Sequence, residues 1–73
     1  MQSLLLISTL RRARLNLGLT LQELALETGV SASKLSAAER NLVPLSKAEQ
    51  RVIARALGAD VEWLFAPRNE VPS

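Results

Sequence analysis

The sequence predicts an all-α fold, a single small domain of five helices. Three patterns lead to this fold class. Apolar side chains recur at helical spacing, Ser or Thr followed by Glu three positions later marks helix starts, and Gly marks helix ends. Aromatic residues make up only 3% of the 73 residues, so the core must be formed mainly by Leu, Ile, Val and Ala.

The first helix is predicted from an apolar stripe, and Gly18 ends it. Residues of the stripe are spaced by four, three and four positions, as on one face of a helix. They are Leu6, Leu10, Ala13 and Leu17. Leu4 and Leu5 extend this apolar surface toward the N-terminus. We interpret them as an extension of the core; the alternative is an exposed edge, residues 4–7, that meets a partner or a second copy.

Two short helices joined by a sharp turn follow, which is a helix-turn-helix. Thr20 caps the second helix, Glu23 completes a capping box, and Gly29 can adopt the left-handed conformation that ends the helix. Ser31 caps the third helix, so only residues 29–31 separate the two. A hydrophobic residue before each cap can pack against one inside the helix. These pairs are Leu19 with Leu24 and Val30 with Leu35.

The fourth helix is predicted from a second capping box. Asn41 tolerates the left-handed conformation and ends the third helix. Ser46 with Glu49 then opens a helix that runs through Leu57 and stops at Gly58. Its predicted inward face consists of Val52, Ile53, Ala56 and Leu57.

A short fifth helix closes the predicted domain. Asp60 caps it, and it runs from Val61 to about Phe65. We interpret Trp63 in this helix as a cover of the core. Pro67 ends the helical region, and the polar residues that follow are predicted to form a flexible tail.

Composition excludes several functional classes. The sequence contains no Cys and no His, which excludes disulfides, zinc fingers and His-based catalysis. No nucleophile–base pair, carboxylate pair, phosphate-binding Gly loop or metal-ligand cluster is visible, so we predict a non-enzymatic protein without cofactor, metal or small-molecule substrate. The apolar run at residues 4–7 is too short for a membrane span and lacks the basic start of a signal peptide, which predicts a cytoplasmic protein.

Charge is unevenly distributed along the chain. Residues 1–58 carry eight basic and four acidic side chains, a net +4. Residues 59–73 carry one basic and three acidic side chains, a net −2. A mildly basic body with an acidic end suits either nucleic acid or an acidic protein surface.

Several segments occur in the order known from one family. They are Leu17-Gly18-Leu19-Thr20, Glu23-Leu24-Ala25, Gly29-Val30-Ser31, Glu39-Arg40, Ala56-Leu57-Gly58 and Val61-Glu62-Trp63-Leu64. In this order they resemble the Cro/C1 family of phage repressors, the XRE type of helix-turn-helix protein, over roughly residues 5–66. The resemblance implies a domain at residues 1–66 and a tail at residues 67–73. It also implies a structural ion pair between Arg14 and Glu39, because in this family an Arg of the first helix commonly pairs with a Glu that ends the recognition helix.

In that family the third helix enters the major groove, and its first residues contact base edges. The matching positions, within residues 31–40, are Ser31, Ala32, Ser33, Lys34, Ser36 and Ala37. Strong discrimination between bases needs bidentate partners, such as Arg or Lys for guanine and Asn or Gln for adenine. One Lys among small side chains therefore predicts weak base-specific reading.

Three apolar residues depart from the family's pattern on this docking face: Leu21, Leu42 and Val43. The family often has a Gln at the first of these positions and polar or basic residues in the loop that holds the other two. Apolar side chains gain nothing beside phosphates but anchor protein interfaces. Basic candidates for partner contact are Arg11, Arg12, Arg40, Lys47 and Arg51. The alternatives are inward packing for the apolar residues and a solvated face for the charges.

The leading hypothesis from the sequence is a small phage-related transcription regulator that acts by protein contact with bacterial RNA polymerase or a sigma factor. The alternative is a dimeric Cro-like repressor that binds operator DNA in the major groove through residues 31–40. A third hypothesis is an antitoxin-like protein that masks a toxin. We expect a monomer or a weak homodimer.

Overall fold

The computed structural model describes residues 8–65. This part of the chain folds into five α-helices without a strand, which confirms the predicted fold class. The helices are α1 (Thr9–Asn16), α2 (Leu21–Thr28), α3 (Ala32–Glu39), α4 (Lys47–Leu57) and α5 (Val61–Phe65). Several predictions lie outside the described residues: Leu4 and Leu5 as an extension of the core, the alternative edge at residues 4–7, Leu6 in the first stripe, Pro67 as the end of the helical region, and the tail at residues 67–73.

The predicted starts of α2, α3 and α4 are confirmed by their hydrogen bonds. At α2, the Thr20 amide donates to Glu23 Oε1 at 2.8 Å, and the Glu23 amide donates to Thr20 Oγ1 at 3.0 Å. Ser46 and Glu49 repeat this reciprocal pair at α4, again at 2.8 and 3.0 Å. Ser31 caps α3 by accepting the Lys34 amide at 3.1 Å. Each cap satisfies amides that the first helical turn leaves without a partner.

The turn between α2 and α3 is held by local hydrogen bonds. Gly29 has a φ of +80°, the left-handed conformation predicted for it. Thr28 Oγ1 donates to the Leu24 carbonyl at 2.8 Å and accepts the Val30 amide at 3.1 Å. At the end of α3, Asn41 also adopts the left-handed conformation, with a φ of +61°. The corner of the helix-turn-helix is thus fixed by residues of its own segment.

The core lies between α2, α3 and α4. Its centre consists of Leu24, Leu35 and Ile53, one residue from each helix, all with 0% exposure. The helix α2 packs against both α3 and α4, whereas α1 packs against α3 and α5. Burial of three large aliphatic side chains supplies several kcal/mol of stabilisation, at roughly 1.5–3 kcal/mol each.

Three residues predicted to face inward are exposed in the structure, and the first is Leu17, at 55%. Its amide donates to the Arg14 carbonyl, three residues back, at 3.1 Å. This is the tighter 3₁₀ pattern, which turns the side chain away from the α-helical stripe. The prediction for Leu17 is therefore wrong because the stripe was extended past the end of the regular helix.

Val52 and Trp63 are the other two corrections, with exposures of 39% and 56%. In α4 the buried stripe includes Ala54 rather than Val52, because the small side chain lies on the face that meets the other helices. In α5 the contact face is formed by Leu64, with Val61 and Phe65 partly buried beside it. Trp63 lies off this i, i+3, i+4 face and does not cover the core.

Candidate nucleic-acid interface

The helix α3 is anchored to the core along one side and accessible along the other. Leu35 and Ala38 are buried, with exposures of 0% and 9%, and they hold the helix in place. The residues predicted to form the recognition-helix face lie on or beside the accessible side. Ser31, Ser33 and Lys34 are exposed, whereas Ala32, Ser36 and Ala37 are half-buried. The first turn of α3 is therefore open to a partner.

A buried ion pair fixes the C-terminal end of α3 against α1. Arg14 Nε donates to Glu39 Oε2 at 2.6 Å, and Arg14 Nη2 donates to Glu39 Oε1 at 3.0 Å. The third donor, Arg14 Nη1, bonds to the Leu19 carbonyl at 2.7 Å, just before the cap of α2. The hydrogen bonds to the Glu39 carboxylate raise the pKa of Arg14 above its ordinary value. This bidentate geometry is the pair that the family resemblance implied.

A second ion pair, between Lys34 and Glu49, lies at the accessible end of α3. Lys34 Nζ is 2.8 Å from Glu49 Oε2, and the two side chains are 42% and 26% exposed. The other carboxylate oxygen of Glu49 accepts the Ser46 amide in the capping box of α4. One carboxylate therefore connects the recognition helix to the start of α4. The sequence does not indicate this link, because its patterns predict Glu49 only as part of a cap and Lys34 only as part of the recognition-helix face.

The pKa of Glu49 lies below its ordinary value of 4.5, chiefly because of the hydrogen bond from Lys34 and then because of the bond from the Ser46 backbone. We expect the Glu49 carboxylate to titrate below this value, and Lys34→Ala to raise its pKa part of the way back, since the cap remains. The ionised Glu49 carboxylate stabilises the folded domain. This stabilisation is complete above the pKa that Glu49 has in the unfolded chain, and it is lost as the pH falls through the pKa of Glu49 in the folded domain. NMR titration of the Glu49 side-chain carbonyl in the wild type and in Lys34→Ala tests this; an unchanged Glu49 pKa in Lys34→Ala would contradict it.

The loop after α3 carries the two exposed apolar candidates. The exposures of Leu42 and Val43 are 65% and 37%, whereas Leu45 packs against the core. The Leu42 amide donates to the Ala37 carbonyl at 2.9 Å, so its backbone is tied to the end of α3. Leu21 differs from both loop residues. It is half-buried against the core, because it shares the i, i+3, i+4 face with Leu24 and Ala25, and it is not an exposed contact as predicted.

The basic candidates are exposed and occupy two regions of the domain. Arg11 and Arg12 lie on α1. Lys47 is the first residue of α4, two positions before Glu49, so it lies at the same end of α4 as the Lys34 ion pair. Arg51 follows one turn later. Arg40 ends α3 and donates from Nε to the Ser36 carbonyl at 3.3 Å. Lys47 and Arg51 thus supply positive charge in the first turns of α4, and Arg40 supplies it at the end of α3.

The fold and this surface define a small α-helical domain with an accessible recognition helix. A family model described as a helix-turn-helix domain matches residues 6–64, and the chain belongs to this family. No curated protein and no solved structure matches the chain. Membership indicates a DNA-binding regulator, agrees with the resemblance at residues 5–66, and is typical of proteins without enzymatic activity.

Within residues 8–65, no helix has the length and apolar character needed to cross a membrane. No group of three or more acidic, His or Cys side chains in that part of the chain is placed to hold a metal ion.

Proposed function

We propose that this chain is a cytoplasmic transcription regulator that binds duplex DNA, with α3 in the major groove and two copies on a two-part site. The observation that carries the proposal is the open first turn of α3 on a helix whose opposite side is buried. Ser33 and Lys34 are exposed there, while the next residue, Leu35, is fully buried in the core. Helix-turn-helix proteins read base edges with this part of the recognition helix.

The side chains of this turn favour binding dominated by the DNA backbone. A Ser hydroxyl such as that of Ser33 can form hydrogen bonds with several bases, and the Ala32 methyl can contact the methyl group of thymine. Lys34 is the one basic residue within α3. Arg40, Lys47 and Arg51 are exposed and suited to phosphates. Such a set gives affinity that depends strongly on salt and discriminates modestly between sequences.

The packing of Leu21 favours DNA over the protein-contact hypothesis. That hypothesis rested on the few base-reading side chains of α3, on the apolar residues Leu21, Leu42 and Val43, and on a basic body; of these, Leu21 packs against the core instead. Two copies are needed because a single recognition helix buries too little surface for a specific site. The separation of half-sites would then follow the helical repeat of the duplex.

A second candidate function is protein contact through the loop after α3, and one observation favours it. Leu42 is 65% exposed, next to Val43 and between the basic residues Arg40 and Lys47. An apolar centre with a basic rim suits an acidic protein surface, such as one on RNA polymerase or a sigma factor.

Fluorescence anisotropy with a pool of randomised duplexes of about 20 base pairs tests the proposal. We expect affinity to fall steeply with salt, and Lys47→Ala to weaken binding for all sequences while reducing the salt slope by about one. Lys34→Ala should instead change the sequences recovered by selection from the pool. A wild-type protein that fails to bind the pool at low salt would contradict the proposal.

Leu42→Ser separates the two candidate functions without adding charge. Under DNA binding, we expect its affinity for the duplex pool to change by less than about twofold. Under protein contact, it should abolish nuclease-resistant retention of RNA polymerase subunits from bacterial lysate. Leu26→Ser is the matched control, because Leu26 is also exposed, at 86%, but lies within α2.

A further inference from the structure

Lys34, the one basic residue of the recognition helix α3, forms an ion pair with Glu49. We propose that Glu49 is a specificity-determining residue: its carboxylate withholds Lys34 from DNA, so that Lys34 engages only where the bases offer a better acceptor. This inference rests on the proposed function. It deepens that function by naming a residue outside α3 that sets how the helix discriminates between specific and random DNA.

The carboxylate of Glu49 is held in place by the cap of α4, independently of its contact with Lys34. Its Oε1 accepts the Ser46 amide at 2.8 Å, and the Glu49 amide donates to Ser46 Oγ at 3.0 Å. The remaining oxygen, Oε2, receives Lys34 Nζ at 2.8 Å. Because the start of α4 fixes the acceptor, Lys34 meets a preorganised partner and not a freely rotating side chain.

The contact is nevertheless exchangeable. The Lys34 and Glu49 side chains are 42% and 26% exposed, so water or a nucleic acid reaches the pair directly. Exposed ion pairs are weak, which allows an external acceptor to replace the carboxylate. The pair therefore acts as a competitor to be displaced and not as a permanent part of the core.

Displacement has different consequences on random and on specific DNA. When Lys34 leaves, the Glu49 carboxylate becomes an unpaired negative charge two residues from Lys47, at the end of α4 that would face phosphates. This repulsion opposes binding to every sequence. A guanine offers two acceptors, O6 and N7, and so compensates for the lost partner better than an isolated phosphate does. Glu49 thus lowers random binding more than specific binding.

Glu49→Gln tests the inference while preserving the cap. A Gln at this position still accepts the Ser46 amide through its side-chain oxygen but no longer carries the charge that holds Lys34. With the randomised duplex pool at low salt, we expect Glu49→Gln to bind about tenfold more tightly than the wild type, and the salt slope to steepen by about one.

Glu23→Gln is the matched control. Glu23 has the same capping role at α2, with its Oε1 accepting the Thr20 amide at 2.8 Å. Within residues 8–65 it forms no ion pair. The substitution makes the same charge change in the same structural context, so it measures the effect of net charge alone. We expect a gain of less than about twofold.

Lys34→Ala shows whether the gain in affinity from Glu49→Gln depends on Lys34. In the double variant Lys34→Ala/Glu49→Gln, most of the gain from Glu49→Gln should disappear. Lys34→Ala alone provides a measurement that does not depend on the folding of Glu49→Gln. Because the Lys34 charge is already engaged, this variant should weaken binding to the pool less than Lys47→Ala does.

Four results would overturn the inference while the wild type binds DNA. They are equal gains for Glu49→Gln and Glu23→Gln, a gain that persists without Lys34, weaker binding by Glu49→Gln, and a larger loss from Lys34→Ala than from Lys47→Ala. In contrast, absence of DNA binding by the wild type and by every variant would overturn the proposed function and the inference together. Circular dichroism of each variant confirms that the helices are intact.

Discussion

Glu39→Ala should lower the free energy of unfolding by about 3–5 kcal/mol, a large part of the roughly 5–15 kcal/mol that stabilises a domain. The substitution removes the acceptor of two Arg14 hydrogen bonds, at 2.6 and 3.0 Å. Arg14 is only 6% exposed, so its charge would remain buried with the Leu19 carbonyl as its remaining partner. Thermal unfolding followed by circular dichroism should show a midpoint lower by more than about 10 °C.

Glu62→Ala is the control for the loss of one carboxylate. Glu62 is exposed in α5, and its removal should change the free energy of unfolding by less than about 0.5 kcal/mol. A second comparison is the double variant Arg14→Met/Glu39→Leu, which removes both charges and should recover much of the loss. Equal stabilities of Glu39→Ala and Glu62→Ala would show that the buried pair does not hold α1 against α3.

Leu35→Ala should lower the free energy of unfolding by about 2–5 kcal/mol. Leu35 lies in α3, has 0% exposure and forms the centre of the core together with Leu24 and Ile53. Truncation removes apolar contacts and leaves a cavity that three packed helices fill only in part. Urea unfolding measures the change. DNA binding by the folded fraction should weaken as well, since α3 loses its anchor.

The matched control for this truncation is Leu42→Ala. The substitution is chemically identical and lies seven positions further on, but Leu42 is 65% exposed. We expect a change of less than about 0.5 kcal/mol. A loss for Leu42→Ala comparable to that for Leu35→Ala would mean that the loop after α3 packs more tightly than its exposure indicates.

Helix boundaries were predictable because their determinants are local. The capping boxes connect Thr20 to Glu23 and Ser46 to Glu49, residues three apart in the chain. The left-handed residue that ends α2 is Gly29, whose conformational freedom is a property of that residue alone. Such features can be recognised in a sequence before any tertiary contact is known.

Burial on one side of a helix was less predictable. A stripe through Val52 and one through Ala54 fit the α4 sequence similarly, and only the neighbouring helices decide between them. The large side chain of Trp63 suggested burial, but a five-residue helix presents one narrow face to the core, and Leu64 occupies it. Leu21 was assigned to the surface by analogy, although its spacing to Leu24 already favoured packing.

Of the two ion pairs in the site, one was predictable and the other was not. The family resemblance placed Arg14 and Glu39 together across 25 residues. The Lys34–Glu49 pair spans 15 residues, and no motif or periodicity connects the two positions. The sequence predicts for Glu49 a role in the cap only, and the contact of its second carboxylate oxygen with Lys34 Nζ, at 2.8 Å, is found only in the folded structure.

The contrast between short-range caps and the long-range Arg14–Glu39 pair also has a consequence for the kinetics of folding. Caps that close within a few residues can form early, because little chain entropy opposes them. The pair across 25 residues requires α1 and α3 to be in place already. Interactions absent from the transition state govern how fast a protein unfolds. The buried pair would therefore act mainly on the lifetime of the folded domain and little on the speed with which the helix-turn-helix assembles.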